Sequence, residues 1–139
     1  MNNMINKMID NYKEDKDFYG PIQEEYITLV EDELKVSFPD QYKEFVRNYG
    51  SGGICGVNVL GIEGELGSSV LLNTKRYRQL GLPKDLIVIE DLGEFVVCSK
   101  TGSKTSVLYW NRFQKQGTVM YENFYEYLFD TFKEAIDNW

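Results

Sequence analysis

The run Gly50-Ser51-Gly52-Gly53-Ile54-Cys55-Gly56 is the first place in this sequence to look for chemistry. Glycine-rich backbone cradles phosphate when it lies after a strand and opens a helix, so that N–H groups and the helix dipole meet the anion. Here the order is reversed, because the glycines follow a helical pattern and lead into an extended one, and no Gly-Lys-Ser/Thr is present. The run therefore reads as a helix stop and a turn. Carboxylates adjoin at Glu63 and Glu65 and again at Glu90, Asp91 and Glu94. Paired carboxylates serve as acid and base in glycoside cleavage. A chain with 22 Asp and Glu produces such neighbours by chance, and solvated turn acids are the ordinary case. Tyr109, Trp110 and Phe113 beside Arg112 have the composition of a base-stacking platform, but the alternation of Val107 and Tyr109 fits a core strand.

Histidine is absent from all 139 residues, which removes the commonest general base, the commonest zinc ligand and every Ser-His or Cys-His pair. Cys55 and Cys98 are the 2 cysteines, too few for a disulfide framework or a Cys-only zinc site, and they read as two buried reduced thiols. No calcium-loop pattern is complete. The expectation is a protein without catalytic residues, metal or cofactor. Lys and Arg number 15 against 22 acids, a net charge of -7, and an acidic chain is a poor ligand for phosphate backbones. Lys75, Arg76, Arg78 and Lys84 are its one basic neighbourhood, read as a solvated face. Direct nucleic-acid binding is not expected, whereas a basic partner is.

The elements that would hold these residues follow from periodicity. Ile5, Met8, Ile9 and Tyr12 predict a first helix. Gly20-Pro21 breaks the chain, and a second helix is expected over residues 22–34 with Ile22, Tyr26, Leu29 and Val30 inward. Ser37 is the expected N-cap of a third helix, with Pro39 in its first turn, Asp40 at the positive dipole end and Gly50 as its stop. Tyr42, Phe45, Val46 and Tyr49 share one face of that helix. Strands are expected at 57–62, 86–92, 95–98 and 107–110, the last three forming an antiparallel meander. Residues 70–80 are expected to be helical, and a last helix runs from 122 to 138 with Phe124, Leu128 and Phe132 inward and Glu122, Glu126, Asp130 and Glu134 outward. The size, 16.2 kDa, fits one domain spanning 1–139, an α+β fold with helices packed against one face of a mostly antiparallel sheet.

Several of these residues together resemble a known family. The run Ile22-x-x-Glu25, Leu34, Phe38-Pro39-x-x-Tyr42-x-x-Phe45 and Tyr49-Gly50-x-Gly52-Gly53, followed by residues 87–95, Val107-x-Tyr109-Trp110 and Phe124-x-Glu126-Tyr127-Leu128, resembles the pattern of the SUKH superfamily. The resemblance covers 22–136, leaving 1–20 as an N-terminal helix and turn. It implies a non-catalytic α+β domain. In small bacterial members it implies an immunity protein, or antitoxin, that binds a cognate toxin, often the nuclease domain of a secreted LXG-type protein. The alternative class is an intracellular scaffold or regulatory binding domain. Toxin contacts vary between members, so the matching residues are mostly fold residues and bring no contact assignments with them.

The contacts must therefore be read from charge. Between Glu14 and Glu44 the local net is -7, equal to that of the entire chain. Glu63, Glu65, Glu90, Asp91 and Glu94 are the expected partner-binding residues, because loops at strand ends project from a rigid sheet. The acidic face of the last helix is the rival surface. The partner is expected to be a protein toxin whose nuclease domain presents a basic surface. The N-terminus has no signal-peptide pattern and no run spans a bilayer, so the cytoplasm is the expected address and no membrane contact is foreseen. Oligomeric state is not written in the sequence.

Overall fold

The computed structural model describes residues 2–139. Helix α1 (Asn3–Tyr12) is capped by Asn2, whose side chain accepts from Met4 N, and it buries Ile5 and Ile9. Helices α2 (Glu24–Leu34) and α3 (Asp40–Tyr49) follow, then α4 (Ser69–Gln79). Strands β1 (Leu86–Asp91), β2 (Phe95–Lys100), β3 (Val107–Asn111) and β4 (Gln116–Tyr121) form one antiparallel sheet in chain order, and α5 (Phe124–Asp137) closes the fold. The α+β expectation and the meander both hold. Helix α5, with α1 and α3 against it, covers one face of the sheet. Helix α4 lies along the outer edge of β1, where the Val88 N–H donates to Thr74 Oγ1 at 3.0 Å. From there its Tyr77 reaches the other face, with ring centroid 6.5 Å from that of Trp110. The rest of that second face carries no helix.

The expected core is real. Tyr42, Phe45, Val46, Phe124, Leu128 and Phe132 are all buried. The Phe124 ring lies 5.4 Å from Tyr42 and 5.6 Å from Phe45 in tilted or edge-on geometry, which favours the opposed ring quadrupoles. The Tyr42 hydroxyl donates to the Leu60 carbonyl at 2.7 Å, so a polar atom in this core is satisfied.

Four local readings change. Helix α2 begins at Glu24, since Gln23 is extended. Ile22 thus lies outside the helix and cannot set its phase, and the inward face is Ile27, Val30 and Leu34, leaving Leu29 60% exposed. The N-cap of α3 is Pro39, not Ser37. Its ring fixes the entering φ, and the free Phe38 N–H is met instead by Glu31 Oε2 at 2.7 Å. Residues 57–62 are extended but form no strand, because their backbone divides its bonds between two partners. Val59 exchanges bonds with Gly52, while Leu60 N donates to Ile89 O on the β1 side. Strand β4 was not expected. Exposed along nearly its full length, it has no buried face to impose an apolar alternation. Its turn is set by Asn111, whose Oδ1 accepts from Phe113 N and Gln114 N.

The glycine run is a backbone crossing. Gly52 bridges Phe18 on one side and Val59 on the other, with φ +113°, and a Cβ there would sit 1.9 Å from Asp17 O. Gly61 passes Gly50 as closely, a Cβ falling 1.9 Å from its carbonyl oxygen. No side chain fits at these distances, which explains glycine there without any ligand.

Two outcomes follow for stability. Phe45→Ala or Phe132→Ala is expected to lose about 3–5 kcal/mol in urea unfolding, from lost burial and the cavity left. Gly52→Ala is expected to lose about 2 kcal/mol or more through backbone displacement and an unfavourable φ. A melting curve unmoved by either change would contradict the packing described.

Candidate functional site

The acids singled out above fall in two separate places. Glu63 precedes a single 3-10 turn at Gly64–Leu66. Its carboxylate accepts from Ser69 N and Ser69 Oγ, both at 2.8 Å, at the start of α4. There the unpaired N–H groups and positive dipole end of a helix favour a carboxylate. Glu65 beside it is exposed. Glu90, Asp91 and Glu94 surround the β1–β2 turn. Leu60 pairs with Ile89, and Val57 lines the same hollow as Glu90 and Leu92, so the segment carrying Glu63 runs opposite to β1. That direction takes Glu63 and Glu65 toward the other end of the strand. The five acids do not form one cluster.

Helix α5 supplies what the turn lacks. Between it and the sheet lies a hollow of about 320 Å³ whose walls include Glu90, Tyr109, Tyr121 and Glu134. Tyr127 comes from the inner face of α5 and donates to Glu90 Oε1 at 2.6 Å. Tyr121, at the end of β4, donates to Asp130 Oδ2 at 2.6 Å, and its ring meets Tyr127 at 5.9 Å. Tyr109 faces the same side from β3, stacked on Phe95 with centroids 4.9 Å apart. The acidic face of α5 is thus joined to Glu90 through tyrosines, whereas Asp91, one residue on, turns to the opposite face and accepts from the Tyr77 hydroxyl at 3.0 Å. Sequence reasoning weighed Tyr109 for a base platform and, from its alternation with Val107, placed it on a core strand. The alternation of a strand sends its neighbour Trp110 to the opposite face, where it is buried, while Phe113 stands exposed on the following turn.

The electrostatics of the hollow follow from burial. Desolvation holds the Glu90 carboxyl above its ordinary range, against the lowering effect of the Tyr127 hydrogen bond. Burial, then the acceptor Asp130, pushes the Tyr121 phenol up. Tyr109 is raised by burial and then by Glu90, Glu134 and Asp130. These phenols stay protonated at neutral pH, and the negative charge rests on the carboxylates around them. Such a surface is suited to a guanidinium or ammonium, which gains both charge and an aromatic wall. Nothing in it resembles a nucleophile with its base.

Elsewhere the chemical candidates are accounted for. Cys98 is buried, and burial pushes its thiol well above the ordinary range. Cys55 is only partly buried, contrary to expectation, because it sits in a turn at φ +51°. Among the described residues no group of three His, Cys, Asp or Glu is placed to hold a metal, and no helix is long and apolar enough to cross a membrane. Of the basic neighbourhood, Lys75 pairs with Glu33 at 2.9 Å, and Arg78 donates to the carbonyls of Leu34 and Lys84.

A family model described as SUKH_5, SMI1-KNR4 cell-wall, matches residues 1–133. The chain belongs to this SUKH family. The match takes in α1 as well as the segments that carried the resemblance. A crystal structure of a protein from Pseudomonas syringae pv. tomato superposes with a TM-score of 0.66 and 17% identity, covering 82% of this chain and 86% of that one. At that identity the likeness shows the fold. The SUKH pattern residues Tyr42, Phe45, Gly52 and Phe124 lie in the core and the glycine crossing, whereas Glu90, Tyr109 and Tyr127 of the hollow fall within the segments of that pattern and Tyr121, Asp130 and Glu134 fall outside them.

The raised carboxyl of Glu90 gives a pH test. The folded state holds this proton more tightly than the unfolded chain, so its contribution is present below the ordinary carboxylate value of 4.5 and is lost as pH rises through the raised value. Glu90→Gln keeps an acceptor for Tyr127 and removes the titration. The unfolding free energy of the variant relative to the parent is expected to rise between about pH 4 and pH 7, measured by urea unfolding; a flat difference would mean Glu90 is not desolvated.

Proposed function

We propose that this chain is an immunity protein that binds and neutralises a cognate toxin in the cytoplasm, the toxin being the nuclease domain of an LXG-type polymorphic protein. The observation that carries the reading is the acidic, tyrosine-walled hollow between α5 and the β1–β2 turn. A nuclease must present positive charge to phosphates. An acidic inhibitor seated there attracts its target at long range and excludes the substrate by occupying the same charge. Tyrosine supplies large contact area with few rotatable bonds, and such anchors govern dissociation, whereas rim charges chiefly govern association.

In this reading Glu90 and Glu94 contribute from the sheet and Asp130 and Glu134 from α5, while Asp91, held by Tyr77 on the opposite face, does not line the hollow. Glu63 and Glu65, on the other turn, extend the negative field without lining the hollow. Family membership supports an inhibitor over an enzyme, and the absence of histidine from the chain agrees with that choice.

The first test is whether a gene beside that for this chain encodes a larger protein with a nuclease-like C-terminal domain; that domain is then the candidate toxin for binding. Glu94→Lys with Glu134→Lys is expected to slow association about tenfold or more at low salt and to weaken its salt dependence. Tyr109→Ala is expected to speed dissociation. Both should reduce survival of cells expressing the toxin, while Glu65→Lys has a smaller effect. Association that ignores salt and charge reversal, with full protection, would overturn the proposal.

A further inference from the structure

The second face of the sheet, away from the acidic hollow, has the opposite charge. Its bases are Lys100, Lys104 and Lys115, while on the same face Asp91 is held at the far end of β1 by the Tyr77 hydroxyl. Glu90 and Glu94 lie away from these lysines, at the β1–β2 turn. What remains is a trough of about 310 Å³ floored by Leu108, Trp110 and Val119 and rimmed by Lys100, Lys104 and Lys115, with Asp85 the single acid on its wall. Lys100 is engaged with Asp85 at 3.4 Å, and the Lys115 ammonium donates to Leu80 O. Lys104 pairs with no acid among the described residues.

The trough adjoins a free sheet edge. Strand β4 is last in the sheet, and among the described residues its backbone makes no hydrogen bond beyond its β3 ladder. Edges left to solvent are ordinarily blunted by lysine, proline or a covering loop. Gln116-Gly117-Thr118-Val119-Met120-Tyr121 contains no charge and no proline, and Val119 is 65% exposed. Gly117 keeps the floor low, since a Cβ there would meet Leu108 Cδ1 at 2.6 Å. Lys115 precedes β4, while Lys104 stands in the β2–β3 turn, close to where Tyr121 pairs with Val107. The two lysines thus bracket the length of the edge.

We infer that this face is a docking site for an extended acidic peptide segment of a partner protein. The segment adds to β4 through its backbone, places an apolar side chain over Val119 and the trough, and sets a carboxylate toward Lys104 at one end and Lys115 at the other. This is strand addition with pockets for alternate side chains. A single-stranded nucleic acid shares the negative charge but suits the surface less well. Trp110 is only 2% exposed and offers no stacking face, and the net charge of -7 repels a polyanion. The site lies on the opposite face from the hollow, so its failure leaves the immunity reading untouched.

The probe is the synthetic heptapeptide Thr-Glu-Thr-Val-Thr-Glu-Thr, blocked at both ends, titrated into the isotopically labelled protein and followed by amide chemical shifts. Shifts confined to β4 and the residues around Lys104 and Lys115 are expected. Lys104→Glu with Lys115→Glu should weaken binding about tenfold or more. Peptides with Lys in place of Glu, or N-methylated along their pairing edge, should not bind, which tests the charge and the backbone ladder without altering the protein. The inference is overturned if the acidic peptide does not bind, if the N-methylated peptide binds equally well, if the charge-reversed protein binds unchanged, or if oligothymidylate binds as tightly.

Discussion

The helical half of this protein is joined to its sheet by backbone hydrogen bonds around a single glycine crossing. At Gly52 the chain leaving α3 pairs with Phe18 from the α1–α2 linker and with Val59 from the segment that reaches β1 through Leu60 and Ile89. Three chain segments meet there with less room than a methyl group needs. If the crossing opened, Tyr42 would lose the Leu60 carbonyl that satisfies its buried hydroxyl, and α3 would lose its position against α5. A buried donor left unpaired costs about 1–3 kcal/mol, so the crossing and the aromatic core depend on each other.

With the helices so placed, the sheet acts as a partition between charges. One face carries the carboxylates of Glu90, Asp130 and Glu134 around tyrosine hydroxyls. The other carries Lys100, Lys104 and Lys115 around an aliphatic floor. A strand's period of two makes this separation possible, because Tyr109 and Trp110, adjacent in sequence, emerge on opposite sides. The net charge of -7 therefore describes neither surface. It averages regions of opposite sign, including the acidic stretch between Glu14 and Glu44.

The hollow also separates what packing fixes from what it leaves free. Its tyrosines are anchored from within. Tyr127 is buried and fixed to Glu90, and Tyr121 is held by Asp130. Groups held in this way lose little freedom on binding, which preserves affinity. The residues at the rim, such as Glu94, are exposed, and changing them need not disturb the core. Surface charge can change there while the crossing and the aromatic cluster stay constant.

The sequence by itself determined the helices, three of the four strands and the aromatic core, since each rests on a local period that burial then reads directly. Phe124, Leu128 and Phe132 had to lie together on one helical face, and Gly50 had to end α3. It also determined that the chain has no histidine and only two cysteines, because composition needs no coordinates. Tertiary structure alone decided β4, whose residues face solvent and so carry no period. It also decided the fate of the five acids: Glu63 was drawn to the start of α4, while Glu90 was joined to Tyr127, 37 residues away. Long-range pairings of this kind leave no mark in local spacing. They arise when packing removes water from particular polar groups and leaves a neighbour from another element as the available partner.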